Sequence, residues 1–310
     1  MSNAARASKN ERRDAAREKA REQRLRQQRR ERRNRVVLQA SIGVVILAIV
    51  AVVAVVIVNS VRPPGPGPRN MADGGITIQG AKLAAVTTSA PAADATPTPQ
   101  STASNGVVLI QAYEDFGCPA CQSFEQTYGA QVKQLITSGA AVVQYHPVAI
   151  LDNHFTDNSY STRSANAAAA MANWSPNTYA AFHQLLYQTS VQPKEGGAGL
   201  TDDRLIALVK QVKASNVTQI TKAIRDQQFK AWVQARTDEF IDKTGSLAKV
   251  TIPTKNRAST PTIVVNGKYW DGSTNFGSFV TSVGGAISAT PTPSASPSGS
   301  SIPSPSASKK

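Results

Sequence analysis

Two cysteines, Cys118 and Cys121, stand two residues apart in the run Tyr113-Glu-Asp-Phe-Gly-Cys-Pro-Ala-Cys-Gln-Ser-Phe124, and the chain holds no others. A Cys-x-x-Cys pair can act as a redox dithiol, as an inert cross-link or as half of a metal site. A disulfide closing so short a loop constrains little of the unfolded chain, which makes it a poor staple. With no second cysteine pair and only His146, His154 and His183 to add, a closed four-ligand zinc site is hard to assemble. Reversible dithiol chemistry is the favoured reading, ahead of a structural pair and a metal half-site.

That chemistry needs a particular placement. VVLIQAY (107–113) is a short apolar run rich in β-branched residues and reads as a buried strand. After the cysteines, Cys121, Phe124, Tyr128, Val132 and Leu135 recur at helical spacing until Ser138-Gly139. Pro119 suits the first helical turn, where no backbone N–H is required. Cys118 therefore falls at a helix N-terminus, where free N–H groups and the positive end of the helix dipole favour thiolate over thiol. Cys121 falls one turn later on the inward face, so Cys118 is expected to be the exposed nucleophile and Cys121 the resolving partner.

Around this unit the chain has a plain order. AVVQY (141–145) is a second strand, and residues 147–246 read as helical, with Ser175-Pro176 starting one helix and Thr201 capping another. Then come TIVV (262–265), the turn Asn266-Gly267, the strand KYW (268–270) and a short amphipathic segment, FGSFVTSV. Asn-Gly between two strands is a strong hairpin signal. The fold class is α/β, with the folded domain over 106–287.

The arrangement resembles the DsbA-like family of thioredoxin-fold thiol–disulfide oxidoreductases, in particular the membrane-anchored forms of Gram-positive and actinobacterial organisms. YEDFGCPACQSF (113–124) and TPTIVVNG (260–267) carry the resemblance. It implies a thioredoxin fold split by an inserted helical subdomain, with Cys118 and Cys121 catalytic and Phe116, Pro119 and Ala120 supporting them. It also implies a cis bond at Thr260–Pro261, facing the cysteines and offering Thr260 to an extended substrate. No cofactor or metal is implied. The expected partners are exported proteins with thiols or disulfides, and a quinone-linked membrane oxidoreductase that restores the disulfide. Two positions depart from the family. Ala120 stands where strong oxidants often carry His, and Ala112 where many relatives keep a buried acid, leaving Glu114 or Asp115 as the nearest substitute.

The flanks set the expected location. Residues 36–58 form 23 uncharged, almost wholly apolar positions, about 35 Å as a helix and enough to cross a hydrocarbon core of about 30 Å. Residues 1–35 hold 14 Lys/Arg and 5 Asp/Glu, which accounts for most of the net +14. Such an excess marks the cytoplasmic flank of a signal-anchor, with everything after Val58 outside. With no aromatic residue among those basic ones, nucleic-acid binding is not expected. Residues 59–105 contain seven prolines and read as a spacer, in which GITIQG (75–80) could add an edge strand; residues 288–310, with nine Ser and five Pro, read as a disordered tail. A reductase or isomerase, and a non-enzymatic envelope adaptor, are the rival readings.

Overall fold

The structure, a computed structural model, describes residues 65–93, 95–97, 106–157, 159–253 and 259–284. The basic tail 1–35, the apolar segment 36–58 and the Ser/Pro tail 288–310 lie outside the described residues. Among the described residues no helix is long and apolar enough to cross a membrane.

Six strands form one sheet in the order β2-β1-β4-β3-β5-β6. They are β1 (Ile76–Gln79), β2 (Ala84–Ala85), β3 (Val108–Glu114), β4 (Ala141–Pro147), β5 (Thr262–Val265) and β6 (Lys268–Trp270). β3 lies inside the sheet, parallel to β4 and antiparallel to β5, and every one of its residues is buried. A mostly apolar strand suits that place, because both of its faces meet packed layers, and its buried Gln111 donates to Gln144 Oε1 (3.1 Å). Period-two alternation divides its side chains. Ile110 and Ala112 join the larger core, while Tyr113 joins a smaller cluster with Val148, Phe240, Leu247 and Val264.

Among the described residues, seven α-helices accompany the sheet: α1 (Pro119–Thr137), α2 (Tyr160–Trp174), α3 (Tyr179–Leu186), α4 (Asp202–Gln211), α5 (Val217–Arg225), α6 (Lys230–Asp242) and α7 (Phe276–Gly284). α2 to α6 are the helical insertion. α2 is its axis: its Ala165 and Ala167–Ala172 run is fully buried, and it packs on α3, α5 and α6. Thr201 caps α4 by accepting from Arg204 N, as its position predicts. Ser175 does not cap an α-helix. Pro176–Thr178 form a 3-10 turn before α3, and the Ser175 hydroxyl instead bonds Thr178 Oγ1 (2.7 Å) and takes the Ser215 amide (2.9 Å).

The structured part begins well before residue 106. β1 is not an edge: it pairs antiparallel with β4 on one side and β2 on the other. The alternation in GITIQG foretells the strand; the proline-rich stretch that holds it docks by burying Met71, Ile76 and Ile78 in the core and through polar clasps. Asn70, held at φ 68°, donates from Nδ2 to Ala172 O (2.8 Å) and accepts from Thr88 N (2.9 Å). Arg236 donates to Ala95 O (3.1 Å). Replacing Asn70 with Ala strands two backbone groups and puts a residue with no polar side chain into the left-handed region. Asn70→Ala should lower unfolding stability by about 2–4 kcal/mol, read from urea denaturation followed by tryptophan fluorescence; a change below about 0.5 kcal/mol would mean the clasp is not part of the fold.

Candidate active site

β3 delivers the chain to the site and one carboxylate fixes the turn that follows. Asp115, wholly buried, accepts from Gly117 N (2.8 Å), Ser161 Oγ (2.7 Å), Ile150 N (2.8 Å) and Leu151 N (3.0 Å), while its own carbonyl takes Cys118 N (2.9 Å). Burial pushes its carboxyl up to about 7, and the Gly117, Ser161 and Leu151 donors pull against that rise. Gly117 has no room for a side chain: a Cβ there would sit 2.5 Å from the Phe155 ring.

Cys118 is the N-cap of α1 and Pro119 its first residue. The Cys118 sulfur accepts from Cys121 N (3.4 Å), so the thiol occupies the place of an ordinary capping oxygen. In its protonated form it donates to Thr260 O at 3.4 Å. The Thr260–Pro261 bond is cis, as the resemblance implied. The Cys121 thiol leads in holding Cys118 low, at about 6, with backbone N–H groups of Cys121 and Ala120 adding to it against the cost of burial. Cys121 moves the other way: burial pushes it well above the usual thiol range, and the Cys118 sulfur and the Glu114 carboxylate reinforce the rise. Both cysteines are free thiols.

The exposure differs from the sequence expectation in degree. Cys118 is the more accessible, but only at 5 % against 0 % for Cys121. The Thr260 carbonyl from across the fold closes over the sulfur, a contact that helix position alone could not disclose. Pro119 and Ala120 are exposed beside it, and Phe116 is buried beneath.

Two residues escaped the sequence reading. Gln192, from the loop after α3, donates from Nε2 to both Phe116 O (3.0 Å) and Cys118 O (3.0 Å), so the insertion grips the cysteine loop directly. His183, read as packing, faces two carboxylates from its helix: Nε2 is 3.3 Å from Glu114 Oε2 and 3.3 Å from Glu125 Oε1. Of the two substitutes considered for the family's buried acid, Glu114 occupies that electrostatic role and Asp115 the architectural one. His146 and His154 take no part. His146 is buried, held down to about 3 by that burial, and meets Gln144 Oε1 at 2.9 Å, whereas His154 pairs at the surface with Glu195 at 3.7 Å.

Comparison with known proteins fits this geometry. The residue pattern of the family described as Thioredoxin matches residues 102–283. The chain belongs to the thioredoxin family. Oxidised DsbA of Mycobacterium tuberculosis is similar at 26% identity and a TM-score of 0.51, over 70% of this chain and 94% of that one. This thioredoxin-family chain is thus DsbA-like in its fold. MdbA of Corynebacterium diphtheriae, a thiol-disulfide oxidoreductase, aligns at 20% identity and a TM-score of 0.45, over 68% of this chain and 89% of that one. The serine/threonine-protein kinase PknE of Mycobacterium tuberculosis is 30% identical over 105 residues, 34% of this chain and 19% of the kinase. The chain spans about a fifth of the length of the curated relatives it matches.

The depressed Cys118 pKa has a measurable form. In the reduced protein, thiolate absorbance near 240 nm should titrate with a midpoint at about pH 6, and iodoacetamide should label Cys118 while sparing Cys121. Because the folded pKa lies below the unfolded one, this thiolate stabilises the reduced fold above about pH 8.5, and the contribution fades as pH falls through about 6. A midpoint above pH 8, or preferential labelling of Cys121, would reverse the assignment.

Proposed function

We propose that this chain is a thiol–disulfide oxidoreductase that works outside the cytoplasm, tethered by residues 36–58, and that it oxidises cysteines of exported proteins. The observation that carries the reading is the split between the two thiols: a capped, acidic Cys118 at the mouth and a buried, basic Cys121 behind it. The basic flank before residue 36 supports the orientation, and an oxidising compartment supports the direction.

With the pair oxidised, a substrate thiolate attacks Cys118 Sγ. The Cys118–Cys121 bond breaks, a mixed disulfide forms on Cys118, and Cys121 leaves and takes up a proton in surroundings that favour its neutral form. A second substrate thiolate then attacks the substrate sulfur of the mixed disulfide and expels Cys118 as a thiolate. Two substrate thiols have become a disulfide and two electrons rest on the dithiol. The acidity of Cys118 makes it a good leaving group in this last step. The Thr260 backbone, beside the sulfur, is suited to pairing with an extended substrate segment. Reoxidation falls to a quinone-linked membrane partner.

Stabilising the Cys118 thiolate stabilises the reduced form and raises the potential. The expected value lies between those of thioredoxin, about −270 mV, and of the strongest oxidants of this family, about −120 mV. Equilibration of the full chain in detergent micelles with glutathione buffers measures it. A potential at or below thioredoxin's, with the pair trapped mostly reduced in growing cells, would replace oxidase with reductase. Cys118→Ser should abolish oxidation of a reduced, unfolded substrate, whereas an adaptor would keep its binding activity.

Ala120 gives a second test. It is exposed at the first turn of α1, so a histidine there has room and would add a positive charge beside the thiolate. Ala120→His should raise the potential by about 30 mV or more, equivalent to about 1.4 kcal/mol. An unchanged potential would mean that Cys121 and the backbone amides already saturate the stabilisation.

A further inference from the structure

Beneath the dithiol lies a group of side chains that the exchange reaction does not use. Glu114 ends β3, Glu125 stands one turn beyond Cys121 on α1, and His183 reaches them from α3. Their side chains are 2 %, 6 % and 2 % exposed. One ligand atom from each lies within 4.8 Å of the other two. The walls are aromatic: the rings of Tyr145, Tyr187 and Phe116 stand 4.0, 5.1 and 5.6 Å from the His183 ring.

Side chains alone leave this box unbalanced. Two ionised carboxylates against one imidazolium carry a net negative charge into dry surroundings, at a cost of several kcal/mol for the unpaired ion. A proton on Glu114, whose carboxyl burial and the Glu125 charge push up to about 7, is one way to balance the group. A single Nε2–H faces one oxygen of each carboxylate at 3.3 Å and cannot serve both well, and Oε1 of Glu114 has no partner at all. Buried polar groups are ordinarily paired, so an unpaired carboxylate oxygen at the core of a fold calls for an explanation. A divalent cation supplies one: it neutralises both carboxylates and takes the lone pair of a neutral imidazole. The spacing agrees, since ligand atoms about 2.0–2.1 Å from a tetrahedral metal lie about 3.3 Å from one another, and His183 Nε2 stands 3.3 Å from each carboxylate.

We propose that Glu114, Glu125 and His183 form a binding site for a divalent cation of the zinc class, with a fourth position open toward solvent. Oxygen and imidazole donors suit zinc, cobalt or manganese and not copper(I), which prefers sulfur. A cleft of about 350 Å³ between α1 and α3, bordered by Glu125, Gly129, Gln184 and Tyr187, reaches the site at Glu125. Gly129 keeps it open on the inner side: a Cβ at that position would come within 2.9 Å of Glu125 Oε2. A cation held here would be built into the junction between the helical insertion and the thioredoxin core, because each of those two parts supplies ligands.

The test uses the full chain in detergent micelles, without a histidine tag and with Cys118→Ser and Cys121→Ser, so that no thiolate can bind metal. Dialysis against buffered Zn²⁺ followed by atomic emission should find one zinc per chain. Changing a residue in the outer shell of a zinc site costs about 10–100-fold in affinity, so Glu114→Gln or Glu125→Gln, each removing a ligand, should cost more than a hundredfold. Co²⁺ in place of zinc should give the visible bands of a four-coordinate site, lost with His183→Gln. Glu125→Gln, at the cleft edge, decides the matter if the two more buried variants lose their near-ultraviolet circular dichroism. Absence of bound zinc, or equal retention by Glu125→Gln, would overturn the site. Either result leaves the oxidoreductase reading standing, since that rests on the cysteines.

Discussion

Asp115 is the point on which the architecture of the site turns. Its carboxylate reaches no water and is held by four donors from three parts of the chain: the cysteine loop, the segment after β4 and the start of α2. Those bonds fix where β3 stops and how the chain turns into α1, and the turn in turn puts Cys118 on the cap of the helix. Removing the acid would leave four donors facing a dry void, each costing about 1–3 kcal/mol. The redox loop is therefore rigid for reasons that lie outside the redox residues.

The alternation of β3 then sorts its last residues into different jobs. Glu114 continues the face of Ile110 and Ala112 and turns toward α1 and the insertion, where Glu125 and His183 meet it. Tyr113 points to the opposite face, stacked between His146 at 4.1 Å and Phe240 at 5.5 Å, with its hydroxyl bonded to Ser246 at 2.9 Å. A shift of one residue in strand register would exchange the two and put a carboxylate into the smaller apolar cluster. The seven paired positions of β3 with β4 guard against that slip.

Much of this was legible in the sequence wherever the signal was local. The apolar run of β3, the helical spacing of α1, the cap at Thr201 and the Asn266-Gly267 turn, whose two residues both take positive φ, depend on neighbours a few positions away. What stayed hidden depends on distant parts of the chain. Asn266 also takes Leu109 N on its side chain at 2.8 Å, a contact across 157 positions. The periodicity of α3 puts His183 on a buried face but cannot say that Glu114, 69 residues earlier, lies opposite. Proline content marked residues 59–105 as a spacer because it counts what cannot form a core by itself, and β1 is held by a core that other segments make.

The narrow opening over Cys118 bears on the timing of the proposed reaction. A sulfur with 5 % of its residue surface open, shaded by the Thr260 carbonyl, admits a slender, extended segment and turns away a thiol set in a finished globule. Under the proposed function, partners would have to arrive unfolded, and each oxidation would become a race between encounter with this site and the collapse of the newly exported chain. Slow-folding, β-rich clients, whose contacts join distant residues, stay open longest and would be served best. On this view selectivity needs no sequence code in the client, because the rate at which the client folds already supplies one.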